Sequence, residues 1–114
     1  MSEATQLLPP PPLSAWTVER NAALLRELAR KYIWWMTPTE AMDYPAKIVA
    51  QVMNTGEYGD VCAMSEALGD EGLRAVLARA EAGQFNERSW HYWHYRLGLS
   101  EAGQVPPLPV RRIE

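Results

Sequence analysis

Apolar residues recur along this chain at intervals of three and four, the spacing that gathers side chains on one face of an α-helix. From Thr17 to Met36 the stripe is Val18, Ala22, Leu25, Leu28 or Ala29, Tyr32 or Ile33, and Met36, with Arg20, Arg26, Glu27, Arg30 and Lys31 mostly off it. One helix is predicted there. In "TPTE", Thr37 can cap, Pro38 suits a first helical position and Glu40 can complete a capping box. A short turn of helix follows and ends before Tyr44–Pro45. Pro45 opens "PAKIVAQVMNT", with Ile48, Val49, Val52 and Met53 inward and Gly56 predicted as a left-handed stop. Asp60 is predicted to cap "VCAMSEAL", with Val61, Met64 and Leu68 inward and Gly69 as its stop. Asp70 then caps "EGLRAVLARAEA", with Leu73, Val76, Leu77 and Ala80 inward, and Gly83 stops it. Asn86 caps "ERSWHYWHYRL", and Gly98 ends it.

No segment joins period-two alternation to β-branched residues, so no strand is expected. The fold class is all-α: a compact single-domain bundle of about five helices. "LLPPPPL" and "VPPLPV" are predicted to be extended, near polyproline II. The organisation is a proline-rich N-terminal segment (1–15), a helical domain (16–99) and a proline-rich tail (100–114).

The chain has 114 residues, 47% of them hydrophobic and 22% charged, which fits one globular domain. A net charge of −3 opposes broad phosphate-driven binding to nucleic acid. The single cysteine, Cys62, cannot form an internal disulfide. No apolar run approaches the roughly 20 residues of a membrane span. The N-terminus lacks the basic region and apolar stretch of a secretory signal. A cytoplasmic protein without membrane contact is expected.

Candidate chemistry concentrates in "SWHYWHYRLGL", Ser89 to Leu99, which holds two of the five tryptophans, two of the five tyrosines and both histidines. At about 100° per residue, Trp90, Trp93, Leu97 and, at the margin, His94 share one side of a helix. These are predicted core. His91, Tyr92, Tyr95 and Arg96 share the other side. Tyr and Arg are enriched at interfaces, so these four are the predicted partner-binding residues, with Arg111 and Arg112 of the tail second. The alternative is a solvated face whose rings lie against the proline-rich tails. No metal or cofactor is expected: His91 and His94 supply two ligands where a structural zinc takes four, and nothing in the spacing requires Cys62 or Glu87 to join them. "NTGEYGD" lacks the preceding strand and the lysine of a phosphate loop. No HExxH and no serine elbow is present.

Four features occur in order. An aromatic pair, Trp34–Trp35, precedes a polar turn. A "GD" junction, Gly59–Asp60, follows. A step with Leu68, Gly69, Asp70, Leu73 and Arg74 comes next, and a tryptophan-containing helix closes in Leu97–Gly98–Leu99. Over roughly residues 32–99 this order resembles a family of small bacterial all-helical proteins encoded beside nucleotidyltransferase-like toxins of the abortive-infection type. The resemblance implies a non-enzymatic, antitoxin-like role. Its mode could be binding the toxin, regulating the operon, or counteracting the toxin's modification of nucleic acid. The chain lacks the Gly-Ser turn and paired aspartates with which the transferase itself would hold magnesium and nucleotide.

Two alternatives stand beside that reading. Arg88 and His94, separated by five residues, resemble the Arg-x4–6-His signature of small all-helical ribonucleases. There the histidine would move a proton and the arginine would stabilise phosphate charge. The helix pair joined at Gly69–Asp70 has the outline of a DNA-binding helix-turn-helix. Its second helix offers Arg74 and Arg79 for base edges, opposed by Glu71 and Glu81. The tail "PPLPVR" also fits a Pro-x-x-Pro-x-Arg pattern, read most simply as an extended strap with its prolines on tyrosines. A second copy of the chain is a further candidate partner.

Overall fold

Local capping sets where the helices begin, and the first begins earlier than the apolar stripe predicts. The computed structural model describes residues 13–101 and 103–110. The Ser14 hydroxyl accepts the Thr17 N–H at 3.1 Å, so α1 spans Ala15–Arg20. Asn21 then leaves helical geometry (φ −112°, ψ 24°), and its side-chain amide donates to the Thr17 carbonyl at 2.9 Å. A short amide that takes a helical carbonyl competes with the helix's own ladder. The single predicted helix is therefore two, and the second, α2 (Ala22–Tyr32), stops at Tyr32 rather than Met36.

In α3 (Pro38–Ala41) the predicted capping box is complete: Thr37 Oγ1 accepts the Glu40 N–H, and the Glu40 carboxylate accepts the Thr37 N–H, each at 3.1 Å. Proline opens α4 (Pro45–Thr55) as expected. Gly56 is not a left-handed stop, because its backbone is extended at φ −70° and ψ 153°. Glycine is needed there for room, since a Cβ would stand 2.5 Å from the Val52 carbonyl oxygen.

The next helix, α5 (Tyr58–Ala78), starts ahead of Asp60, which sits in its first turn and is not its cap. The predicted stop at Gly69 is present: its backbone leaves helical geometry at φ 72° and ψ 167°, so this span is two helical segments meeting at a kink. It ends at Ala78, short of the predicted stop. Gly83, at φ 87°, serves the turn that leads onward. Asn86 Oδ1 accepts the Ser89 N–H at 2.8 Å and caps α6 (Glu87–Arg96). At the far end Gly98 is left-handed (φ 70°). The Leu99 N–H donates to the His94 carbonyl and the Gly98 N–H to the Tyr95 carbonyl, which closes the helix in a Schellman motif. The described residues form six helices and no strand.

The centre of the bundle is α4. It packs on α2, α3, α5 and α6 and buries Ile48, Val49, Ala50, Val52 and Met53. Leu25 and Leu28 reach it from α2, Met64 and Leu73 from α5, and Trp90, Trp93 and Leu97 from the α6 segment. A helix leaves its last carbonyls without partners inside the helix, and when buried they need partners elsewhere. Those of α4 find three: the Gly56 N–H on Val52 at 2.7 Å, the Trp93 indole on Met53 at 2.8 Å, and the Ser89 hydroxyl on Asn54 at 3.0 Å. Asn54 Oδ1 in turn accepts the Asn86 N–H at 2.9 Å.

Other helix ends are tied at long range in the same way. Tyr32 on α2 donates its hydroxyl proton to Asp60 at 2.6 Å and accepts the Glu57 N–H at 2.9 Å. Lys31 pairs with Asp60 at 2.8 Å and with Glu57 at 3.1 Å. The guanidinium of Arg74 forks onto the Leu97 carbonyl at 2.9 and 3.1 Å. The N-terminal prolines lie outside the described residues, and the described part of the proline-rich tail is without helix or strand, with Val105 and Leu108 packed on the core. Its bond, however, is from the Trp90 indole to the Pro106 carbonyl at 2.7 Å, not from a tyrosine.

Trp93→Ala removes a fully buried ring and leaves the Met53 carbonyl unpaired. A loss of about 3–5 kcal/mol is expected from the ring alone, enough to lower the melting temperature by more than about 10 °C. Thermal unfolding followed by circular dichroism measures it, and a change of only a few degrees contradicts the packing. Asp60 is expected to give a pH signature. Its carboxyl is held below the usual range, first by the hydrogen bond from Lys31 and then by that from Tyr32. The contact therefore stabilises the fold above the unfolded-state pKa of about 3.9 and is lost as the pH falls through the lower folded-state value. In urea unfolding, Asp60→Asn is expected to be less stable than the parent at pH 7, with the gap closing as the pH is taken below about 4.

Candidate functional site

The last helix divides as its periodicity predicts. Trp90, Trp93, His94 and Leu97 are buried, while Tyr92, Tyr95 and Arg96 are exposed and His91 is half-exposed. Tyr92 is 52% exposed and Tyr95 45%, so each ring meets solvent over about half its surface. These rings are not loose. The Tyr92 ring meets Trp93 edge-on at 5.1 Å, and the His91 ring lies 6.2 Å from that of Tyr95. The His91 Nδ1–H donates to the Glu87 carbonyl at 2.9 Å. The Arg96 guanidinium stands 5.1 Å from the centre of the Trp93 ring. The outer face is thus positioned by the buried face beneath it.

A residue outside the predicted set completes this surface. Tyr58, the first residue of α5, is 84% exposed. Its hydroxyl is held above its usual pKa, first by a hydrogen bond with the Cys62 side chain, and Tyr92 and Arg96 lie within electrostatic reach. A groove of about 460 Å³ runs between the starts of α5 and α6, lined by Met53, Val61 and Trp93 below and by Tyr58, Tyr92 and Arg88 around it. The missed signal was the tyrosine in "GEYGD": a large ring at a helix start has no earlier turn to pack against.

The structure does not bring Arg88 and His94 together. Arg88 is exposed and faces the groove, whereas His94 is 6% exposed with its ring 4.4 Å from that of Trp90. The His94 Nδ1–H donates to the Trp90 carbonyl at 2.8 Å, as expected of a histidine that packs at the core edge. Their separation on the helix is about 120°. His91 and His94 differ in burial, the first half-exposed and the second buried. Among the described residues no group of three His, Cys, Asp or Glu side chains is placed to hold a metal ion. Arg74, offered above for base reading, is engaged on the Leu97 carbonyl. Arg111 and Arg112 lie outside the described residues.

A second exposed aromatic cluster lies apart from α6. Trp34 and Trp35, beyond the end of α2, are 78% and 55% exposed and meet edge-to-face at 5.4 Å. Extending the apolar stripe to Met36 had placed them within a helix. Two adjacent residues about 100° apart cannot both join a narrow stripe, and that was the available clue.

No family model, curated protein or solved structure matches the chain. Among the described residues no helix is long and apolar enough to cross a membrane.

The floor of the groove depends on Gly56, where α4 passes into α5. Gly56→Ala drives a methyl group into the Val52 backbone and its Cγ1, the latter 2.7 Å from the Cβ position. Overpacking of this kind costs about 1–3 kcal/mol. The urea midpoint is expected to fall accordingly, whereas Gly59→Ala, where a Cβ meets nothing within 4 Å, leaves it nearly unchanged.

Proposed function

We propose that this protein is a non-enzymatic, antitoxin-like binding protein whose partner is a nucleotidyltransferase-like toxin, met in the cytoplasm. One observation carries the binding part: the buried tryptophans of α6 hold Tyr92, Tyr95, His91 and Arg96 on one exposed face, joined by Tyr58 from α5. Exposed tyrosines that are already oriented lose little freedom on association, which is why such residues anchor interfaces. The partner class comes from the sequence resemblance over residues 32–99.

The geometry favours binding over the alternatives. A general acid–base histidine must reach its substrate, and His94 lies under Trp90 with one nitrogen committed to a carbonyl. A base-reading helix needs several donors free to reach base edges, and Arg74 is held by Leu97.

The test is co-expression of the chain with the neighbouring toxin, followed by affinity capture. Tyr92→Ala combined with Tyr95→Ala is expected to unfold at nearly the parent's temperature. Truncating aromatic anchors at an interface typically costs about 2 kcal/mol or more, so affinity is expected to drop roughly 30-fold or further. Toxicity returns in cells if neutralisation runs through this contact. Undiminished capture by the double variant refutes the assignment of the face.

A further inference from the structure

The groove between α5 and α6 has a mixed lining, with Asn54, Asn86 and Ser89 on its polar side. Its floor is apolar, made by Met53, Val61 and Trp93, and the rings of Tyr58 and Tyr92 stand beside it. Arg88 is the only ionised side chain lining it. It is exposed and has no carboxylate within ion-pair reach among the described residues. Arg96, over the Trp93 ring, is outside the lining. The nearest acids in sequence are Glu57, Asp60 and Glu87, and Asp60 is paired with Lys31 at 2.8 Å. Glu57 is paired with Lys31 at 3.1 Å. Glu87 lies in the first turn of α6, where the helix end already favours a negative charge. The groove thus sets one arginine, without an ion-pair partner among the described residues, beside an apolar floor.

We infer that this groove receives an acidic segment of a protein partner, with one large apolar side chain on the Met53–Val61–Trp93 floor and a flanking Asp or Glu on Arg88. This rests on the partner-binding reading and names the chemistry of what is bound. An arginine fork and a carboxylate pair through two parallel hydrogen bonds, which fixes direction as well as charge. About 460 Å³ holds an anchor side chain with its adjoining backbone. The α6 wall is fixed on the floor, because the bonds of Asn54 to Asn86 and Ser89, and of Trp93 to Met53, tie the end of α4 to α6. Single-stranded nucleic acid also stacks on tyrosines. It would, however, leave the apolar floor under a charged backbone and meet a chain of like charge overall.

The inference is tested by selecting short random peptides displayed on phage against the full-length chain. The selected sequences are expected to pair Asp or Glu with a large apolar residue. A synthetic peptide of that sequence should bind the parent and weaken at least about tenfold with Arg88→Glu and with Tyr58→Ala, both at exposed positions. Arg88→Gln should fall between, and its melting temperature shows that the fold is intact. Four results overturn the inference: no peptide is selected, the selected peptides lack acids, Arg88→Glu binds as well as the parent, or a labelled oligouridylate binds and displaces the peptide. The two readings separate cleanly. If toxin capture needs Tyr92 and Tyr95 but ignores Arg88→Glu and Tyr58→Ala, the partner reading stands and the groove assignment falls. If peptides bind through Arg88 but no toxin is captured, the groove stands and the toxin assignment falls.

Discussion

The end of α4 is the constraint on which the rest depends. A central helix buried along one face still leaves its final carbonyls without partners further along the helix, and they need donors from beyond its end. The chain supplies them from α6 and from Gly56. Trp93 therefore has two tasks, filling the core with its ring and pairing the Met53 carbonyl with its indole N–H. A phenylalanine would do only the first. Because Ser89, Trp93 and the Asn86 backbone all meet the last turn of α4, the rotation of α6 is fixed. The same rotation sets Tyr92, Tyr95 and Arg96 outward.

Long-range caps recur through the molecule. Tyr32 reaches from α2 to the start of α5, Arg74 from α5 to the end of α6, and Trp90 from α6 to the tail strap. Each joins a side chain of one element to a backbone group of another. A small domain with a modest core gains cooperativity this way, since displacing one element uncovers polar groups in another. The lysine–aspartate–tyrosine cluster on α2 and α5 is the most exposed of these ties, and the one that acid should loosen first.

What was legible in the chain was whatever is written locally. The Thr37–Glu40 box, the Asn86 cap, the kink at Gly69, the close at Gly98 and the two faces of α6 all depend on residues within a turn or so of one another. What escaped depends on placement in space. Asp60 reads as a cap in sequence, yet Tyr32 and Lys31 claim it across the bundle. Gly56 reads as a left-handed stop, yet its constraint is the Val52 carbonyl beside it. Trp34 and Trp35 fall within the span read as one helix, but the helix ends before them. Of the surface on and beside α6, the four residues of the helix were legible from periodicity. Tyr58 was not, because it arrives from another element.

One measurement reaches the central claim, that α6 is core on one face and a binding face on the other. Hydroxyl-radical footprinting reads the solvent access of individual aromatic side chains, with and without the proposed partner, a nucleotidyltransferase-like toxin. In the free protein Tyr58, Tyr92 and Tyr95 are predicted to be modified readily and Trp93 to be protected. With the toxin bound, the three tyrosines become shielded while Trp16, Trp34 and Trp35 stay as reactive as before. Modification of Trp93 in the free protein, or shielding at Trp34–Trp35 with the tyrosines left open, would contradict it.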